Sequence, residues 1–435
     1  MLKNVAVALG LRVAGTALWL LLSVVIARTL ATQDFGLVFL VVDISLTGGV
    51  IVALGYDQTV LRYGARYWKD LDVASLAHLV VEARCAVSLA GAGVGVLSLL
   101  AYVAGVETPV TKTLAITCLT AALIYGTGVL MVSRDVLRVA NRLSDALLGM
   151  AVVRTLVSVI LVGLATALGI LTAELGLLCY AGGLVAAVVW SAYRVKKLNL
   201  PLARRTDRRR WKHLPTALFI WPGEAALVGF GRAAGISIGL TGNLNAAAMF
   251  LAAQRIAQLG TFLTDAVTTS VAPMLASSSI QDRQDAATRA SMMMLASGVT
   301  GSCALALLGR PMLALFGDQY SETYPVLLAL LLGQLSWTVL GPTALIMNMM
   351  GRERLRSVVS IVSTILLLLG LAFCETALQA AFVFAAMSWV LNLSCWFAIW
   401  KTLGLHAGVT GMRAAAFREA PAKMHALLSR FASSR

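Results

Sequence analysis

The chain alternates long apolar runs with short polar breaks. The runs fall at about 4–28, 36–58, 76–104, 112–132, 146–169 and 174–193, then at 214–240, 246–273, 287–309, 323–350, 356–373 and 376–400. Most hold ~20 residues or more, which as helix at 1.5 Å per residue spans a hydrocarbon layer of ~30 Å. Within a run such as 152–169 the apolar residues occupy every helical face, whereas a barrel strand alternates apolar and polar residues. The pattern predicts an all-α polytopic membrane protein with about 12 transmembrane helices. The first run follows Lys3 and ends in small residues near Ala27, as a signal peptide does, but Arg12 interrupts it and it is too long for a signal core. It reads as a span.

Composition agrees: 59% of the 435 residues are hydrophobic and 13% charged, against about 45–50% and ~25% in soluble domains. The net charge of +15 would suit a nucleic-acid partner if it were spread over a solvated surface. With a cytoplasmic N-terminus, however, the outer loops receive only Arg28, Lys112 and Arg310, and almost all other loop and terminal Lys and Arg fall inside. The basic excess is therefore topological, no nucleic acid is expected, and both termini are expected in the cytoplasm. The clusters also favour anionic membrane lipids.

The basic stretch 194–213 separates a six-helix lobe (1–193) from a second (214–401), followed by a basic cytoplasmic tail (402–435) that reads from Arg413 onward as a surface helix. An even number of spans gives both lobes the same orientation, as in transporters with parallel repeats around a central cavity. Phe39 to Ser45 (FLVVDIS) has a counterpart in Phe250 to Ile256 (FLAAQRI). The six cysteines lie singly in apolar runs, with no CxxC, and read as buried small hydrophobes. No outer loop is long enough for a catalytic domain.

Charges inside the runs carry the functional signal, because an ionised residue at mid-bilayer costs ~2.5–3.5 kcal/mol on insertion scales. The cations are Arg12, Arg154, Arg232 and Arg255, and the acids are Asp43, Glu224 and Asp265; Asp57 and Glu82 lie nearer the inner interface. The arginines either line a hydrated route and bind phosphate through their planar fork, or pair with carboxylates and lock helices together. Glu224 follows Pro222-Gly223 about ten residues into its run. A helix broken there would free carbonyl oxygens beside a carboxylate, as at coupling-ion sites for H+ or Na+; the other reading is a kink with a Glu224–Arg232 pair. Asp43 and Asp265 are further coupling candidates.

Other motifs are weak. Gly229-x-Gly231-x-x-Ala234 matches a dinucleotide pattern only as text; Gly231, Gly235 and Gly239 read instead as a close helix-packing face. Asp282-x-x-Asp285 reads as a solvated loop, and the four histidines as interfacial or tail residues. No metal, cofactor or catalytic residue is expected, and the chain is not expected to be an enzyme.

The stretch 10–67 resembles the opening of bacterial polysaccharide (O-antigen and exopolysaccharide, Wzx-type) flippases. The matching features are Gly10-x-Arg12, Ala27-Arg28-x-Leu30, Phe35-Gly36, and Gly55 seven residues before Arg62. In the second half, Phe316-Gly317-x-x-Tyr320 resembles the F-G-x-x-Y opening of span ten. That family belongs to the multidrug/oligosaccharidyl-lipid/polysaccharide exporter (MOP) superfamily. The resemblance implies two six-helix lobes and a substrate of undecaprenyl-diphosphate-linked oligosaccharide, flipped to the periplasmic leaflet for O-antigen, capsule or exopolysaccharide assembly, with a polysaccharide polymerase as a partner in the same membrane. Multidrug relatives share the fold, so a cation-coupled drug or metabolite antiporter is the alternative. Lipid II flippases usually carry two further spans. A major-facilitator carrier would show a G-x-x-x-D-R-x-G-R loop after span two, which is missing, and a polymerase or ligase a large periplasmic loop.

Overall fold

The computed structural model describes residues 2–201, 211–275, 280–405 and 407–410; the side chains of 2–6, 8–9, 262–263, 265–275, 280–283, 286 and 349 lie outside the described set. The tail helix expected from Arg413 and the side chain of Asp265 therefore fall outside it.

The described residues form helices and connecting turns, with no strand. The first lobe contains α1 (Leu2–Thr29), α2 (Thr32–Ala53), α3 (Val73–Val103), α4 (Leu114–Val139), α5 (Leu143–Ala167, with a π-helical segment at Leu148–Val153) and α6 (Ala173–Lys196). The second contains α7 (Leu214–Phe230), α8 (Ala233–Leu240), α9 (Leu244–Leu275), α10 (Ile280–Ala314), α11 (Tyr324–Leu340), α12 (Glu353–Leu371) and α13 (Ala377–Leu403). Among the described residues ten helices are long and apolar enough to cross a membrane, and α7 and α8, bent by 71° to each other, are together long and apolar enough to count as an eleventh. The 32-residue α9 is the remaining long helix. Local chemistry sets several starts: the side chains of Thr113, Thr172 and Thr376 accept from the backbone N–H three residues on, and Gln379 completes a capping box with Thr376.

The outer surface is apolar in a way water would not tolerate; Leu307 and Phe373 are 82% and 87% exposed. At the centre lies α2, packed against α4 on one side and α9 on the other. The seam between lobes is closed at one end. There Arg28 donates from Nε to Leu315 O (2.7 Å) and from Nη2 to Ala314 O (3.1 Å), answering carbonyls left free at the C-terminus of α10. Phe35, Phe39, Phe316 and Tyr320 form a cluster of tilted and edge-to-face rings across the same seam. A Cβ on Gly36 would stand 2.3 Å from Leu244 O, so main chain meets main chain. Near the far end of α2, Gly55 (φ 77°) does the same against Ala217 O, also at 2.3 Å.

Several expectations change. The helix runs unbroken through Pro222 and breaks instead at Gly231–Arg232. Gly235 and Gly239 do pack closely, under Leu251 and Leu40, but Gly231 ends α7 rather than extending that face. Cys179 and Cys395 are buried, whereas Cys85, Cys118 and Cys303 are exposed on the bundle surface. His213, at the start of α7, is buried in the protein rather than solvated. Its backbone N–H and Nδ1 both engage Glu82 (2.9 and 2.8 Å), which also accepts from Tyr56 Oη, so the start of α7 is fastened to the first lobe.

Candidate functional site

A cavity of about 620 Å³ opens between α1, α5, α9 and the α7–α8 break, lined by Arg12, Arg154, Arg232 and Arg255. These are the four arginines singled out within the apolar runs. Along α1 the lining runs from Arg12 to Trp19, and stops short of the closed seam at Arg28. Gly15 faces Ala151, whose Cβ would lie 2.7 Å from a Cβ on the glycine, so α1 and α5 form a close wall.

Arg255 is the most enclosed of the four, its side chain 3% exposed. It donates from Nη2 to Asp43 Oδ1 at 2.9 Å, and its guanidinium lies 5.1 Å from the ring centroids of both Trp19 and Phe39. The α7–α8 bend turns Arg232 toward the same carboxylate, Nε to Oδ1 3.9 Å. Arg154 sits between Trp19 and Tyr180, 5.9 and 5.8 Å from their centroids. These faces offset part of the cost of a buried cation without neutralising it. Nε and Nη1 of Arg154, Nε of Arg232 and Nε of Arg255 have no hydrogen-bond partner among the described residues. Among the described residues only two of these four guanidinium groups, Arg232 and Arg255, meet a carboxylate, Asp43, and several of the donors have no partner. The arrangement can hold an anion with several oxygen acceptors.

Glu224 does not pair with Arg232. It accepts from Arg356 Nη2 on α12, and both side chains are largely buried. Eight residues of straight helix would place Glu224 and Arg232 on nearly one face; the break between them sends Arg232 to Asp43 instead. Arg356 is the functional-site residue that sequence reasoning missed, since its basic neighbours Arg352 and Arg354 made it look like loop. The available signal was its place at the first position of an apolar run.

A second cavity, about 560 Å³, lies within the second lobe. Gln258 and Thr261 on α9 line both cavities, while Gln254 and Arg255, adjacent on α9, face one each. Gln254 Nε2 donates to Gly231 O at 2.8 Å, sealing a carbonyl freed by the helix break. Outside the spans, burial and then Asp135 push the Asp57 carboxyl up to about 6 against the opposing pull of Arg134, and burial together with Glu82 pushes the Tyr56 phenol up.

No protein-family model matches the sequence, and neither does any curated protein. Solved structures do. An inward-facing multidrug resistance MATE family transporter of the MOP superfamily superposes with a TM-score of 0.64 at 14% identity, over 92% of this chain and 99% of that one. The lipid II flippase MurJ in an inward closed conformation gives 0.65 at 14% identity, over 88% of this chain and 85% of that one. The chain has the fold of a MOP superfamily transporter. An outward-facing conformation of a MATE family transporter also matches, with a TM-score of 0.57 at 14% identity over 91% and 94% of the two chains. These matched structures are of MATE family transporters and a lipid II flippase.

Proposed function

We propose that the protein is a flippase that moves undecaprenyl-diphosphate-linked oligosaccharide from the cytoplasmic to the periplasmic leaflet of the bacterial inner membrane, for O-antigen, capsule or exopolysaccharide assembly. The observation that carries this reading is the cavity itself: Arg12, Arg154, Arg232 and Arg255 face one space, and among the described residues the carboxylate paired with any of them is Asp43, which meets Arg232 and Arg255. A diphosphate crossing ~30 Å of hydrocarbon needs such a lining, and a cationic drug would be repelled by it. The distribution of Lys and Arg among the loops supports cytoplasmic termini. With that orientation the closed Arg28–Phe316 seam is periplasmic, and Arg12 marks the cytoplasmic mouth. Asp43 and Glu224, each held by an arginine, and Asp265 on α9 are the carboxylates at which an H+ or Na+ gradient could be coupled, and a polysaccharide polymerase in the same membrane would consume the product.

The test is flipping in proteoliposomes of a lipid-linked oligosaccharide whose glycan is scored by an external lectin. Lectin-accessible glycan should rise with protein and fall in Arg12→Ala and Arg154→Ala. Exchange of an anionic drug or metabolite for protons, with no glycan movement, would establish the antiporter instead.

A further inference from the structure

Five polar atoms are buried around the second-lobe cavity without a hydrogen-bond partner among the described residues: Gln254 Oε1, Gln334 Nε2, Thr343 Oγ1, Asn348 Oδ1 and Arg356 Nε. Such atoms normally find partners, because an unmade buried hydrogen bond costs about 1–3 kcal/mol. Here donors and acceptors converge from four elements: α9, α11, α12 and the short helix Thr343–Met349. Arg356 is neutralised by Glu224, so this wall is rich in hydrogen-bonding groups and has no excess charge. Trp337 adds an indole to the lining. The cavity's 560 Å³ lies within the ~300–1,000 Å³ range of small-molecule sites.

We propose that this cavity is a glycan subsite, which takes uncharged, hydroxyl-rich sugar residues while the arginine cavity holds the diphosphate. The inference rests on the flippase reading and extends it. Carboxamides suit vicinal hydroxyls because one group both donates and accepts, and an indole presents an apolar face to sugar C–H groups. The shared wall at Gln258 and Thr261 lets one molecule occupy both spaces. The division of labour follows from α9, where adjacent residues send a carboxamide one way and a guanidinium the other.

The experiment measures binding to the purified full-length protein of farnesyl diphosphate and of its N-acetylglucosaminyl, glucosyl and galactosyl derivatives. Wild type should bind at least one glycosylated probe about tenfold tighter than farnesyl diphosphate. Gln334→Met and Asn348→Leu, which keep volume and delete the polar atoms, should erase that difference and leave farnesyl diphosphate binding unchanged. Arg12→Ala should weaken all probes together. If no sugar improves on farnesyl diphosphate in wild type, or if both variants weaken every probe equally, the subsite is overturned while the diphosphate reading stands. If wild type binds none of the probes, the flippase reading fails first, and the subsite with it.

Discussion

Arg255 donates to Asp43 from the matching level of a matching helix. The repeats FLVVDIS and FLAAQRI align Asp43 with Gln254, so Arg255 stands one residue beyond the equivalent of its own partner, 212 positions away in sequence. Because α2 and α9 lie side by side across the lobe seam, the pair is both a clasp between lobes and part of the cavity wall. Movement that separates α2 from α9 breaks it, unless another anion replaces Asp43.

Asp43→Asn should therefore act in two opposite directions. Removing one partner of a buried ion pair costs about 3–5 kcal/mol, so thermal unfolding in detergent should move down. The freed guanidinium should bind farnesyl diphosphate more tightly than wild type does, as measured by calorimetry. A loss of affinity would mean that Asp43 positions Arg255 rather than competing for it.

Arg12→Ala and Arg154→Ala should abolish surface polysaccharide at unchanged membrane abundance, and Lys at either position should restore part of it, since charge remains but the planar fork is lost. Quantitative immunoblots alongside polysaccharide staining distinguish this from loss of the protein.

Glu224→Gln leaves Arg356 without its counter-charge and should destabilise the protein by about 3–5 kcal/mol, whereas Glu224→Gln with Arg356→Gln should recover much of that. Unfolding midpoints decide the structural role. Transport by Glu224→Gln proteoliposomes, with and without an imposed H+ or Na+ gradient, decides coupling: a normal response moves the search to Asp43 and Asp265.

Asp57 gives a pH signature. Its folded carboxyl holds its proton up to about 6, while an unfolded aspartate releases it near 4. The stabilisation relative to an ionised Asp57 is thus complete below pH ~4 and lost as pH rises through about 6. Wild-type thermal stability should fall across that window, and Asp57→Asn should flatten the fall.

Reporter fusions at Val106, Thr172 and Thr376 should read periplasmic, and fusions at Thr206 and Arg430 cytoplasmic. A periplasmic reading at Thr206 would overturn the orientation.

Much of this was legible in the sequence because membranes leave few choices. Apolar runs near the thickness of hydrocarbon gave the helices, and arginines too costly for lipid had to face a shared interior, where all four are found. Partners were harder. Glu224 and Arg232 looked paired only if the helix between them stayed straight, and the bend at Gly231–Arg232 has no proline to announce it. Pro222, the obvious breaker, is carried within the helix. The amide-lined cavity was equally hidden, since Gln254, Gln334 and Asn348 are uncharged and come from distant elements.

Gly36 and Gly55, near the two ends of α2, let the main chain of the second lobe rest directly on the first. Carbonyl oxygens make stiff bearings, because no rotamer change can adjust them. A beam seated on two such points can rise from one only by turning on the other. The path of any rocking motion is then written in backbone, and the choice of cargo in the side chains lining the cavities. Evolution could exchange one sugar, or one anion, for another without redrawing the hinge.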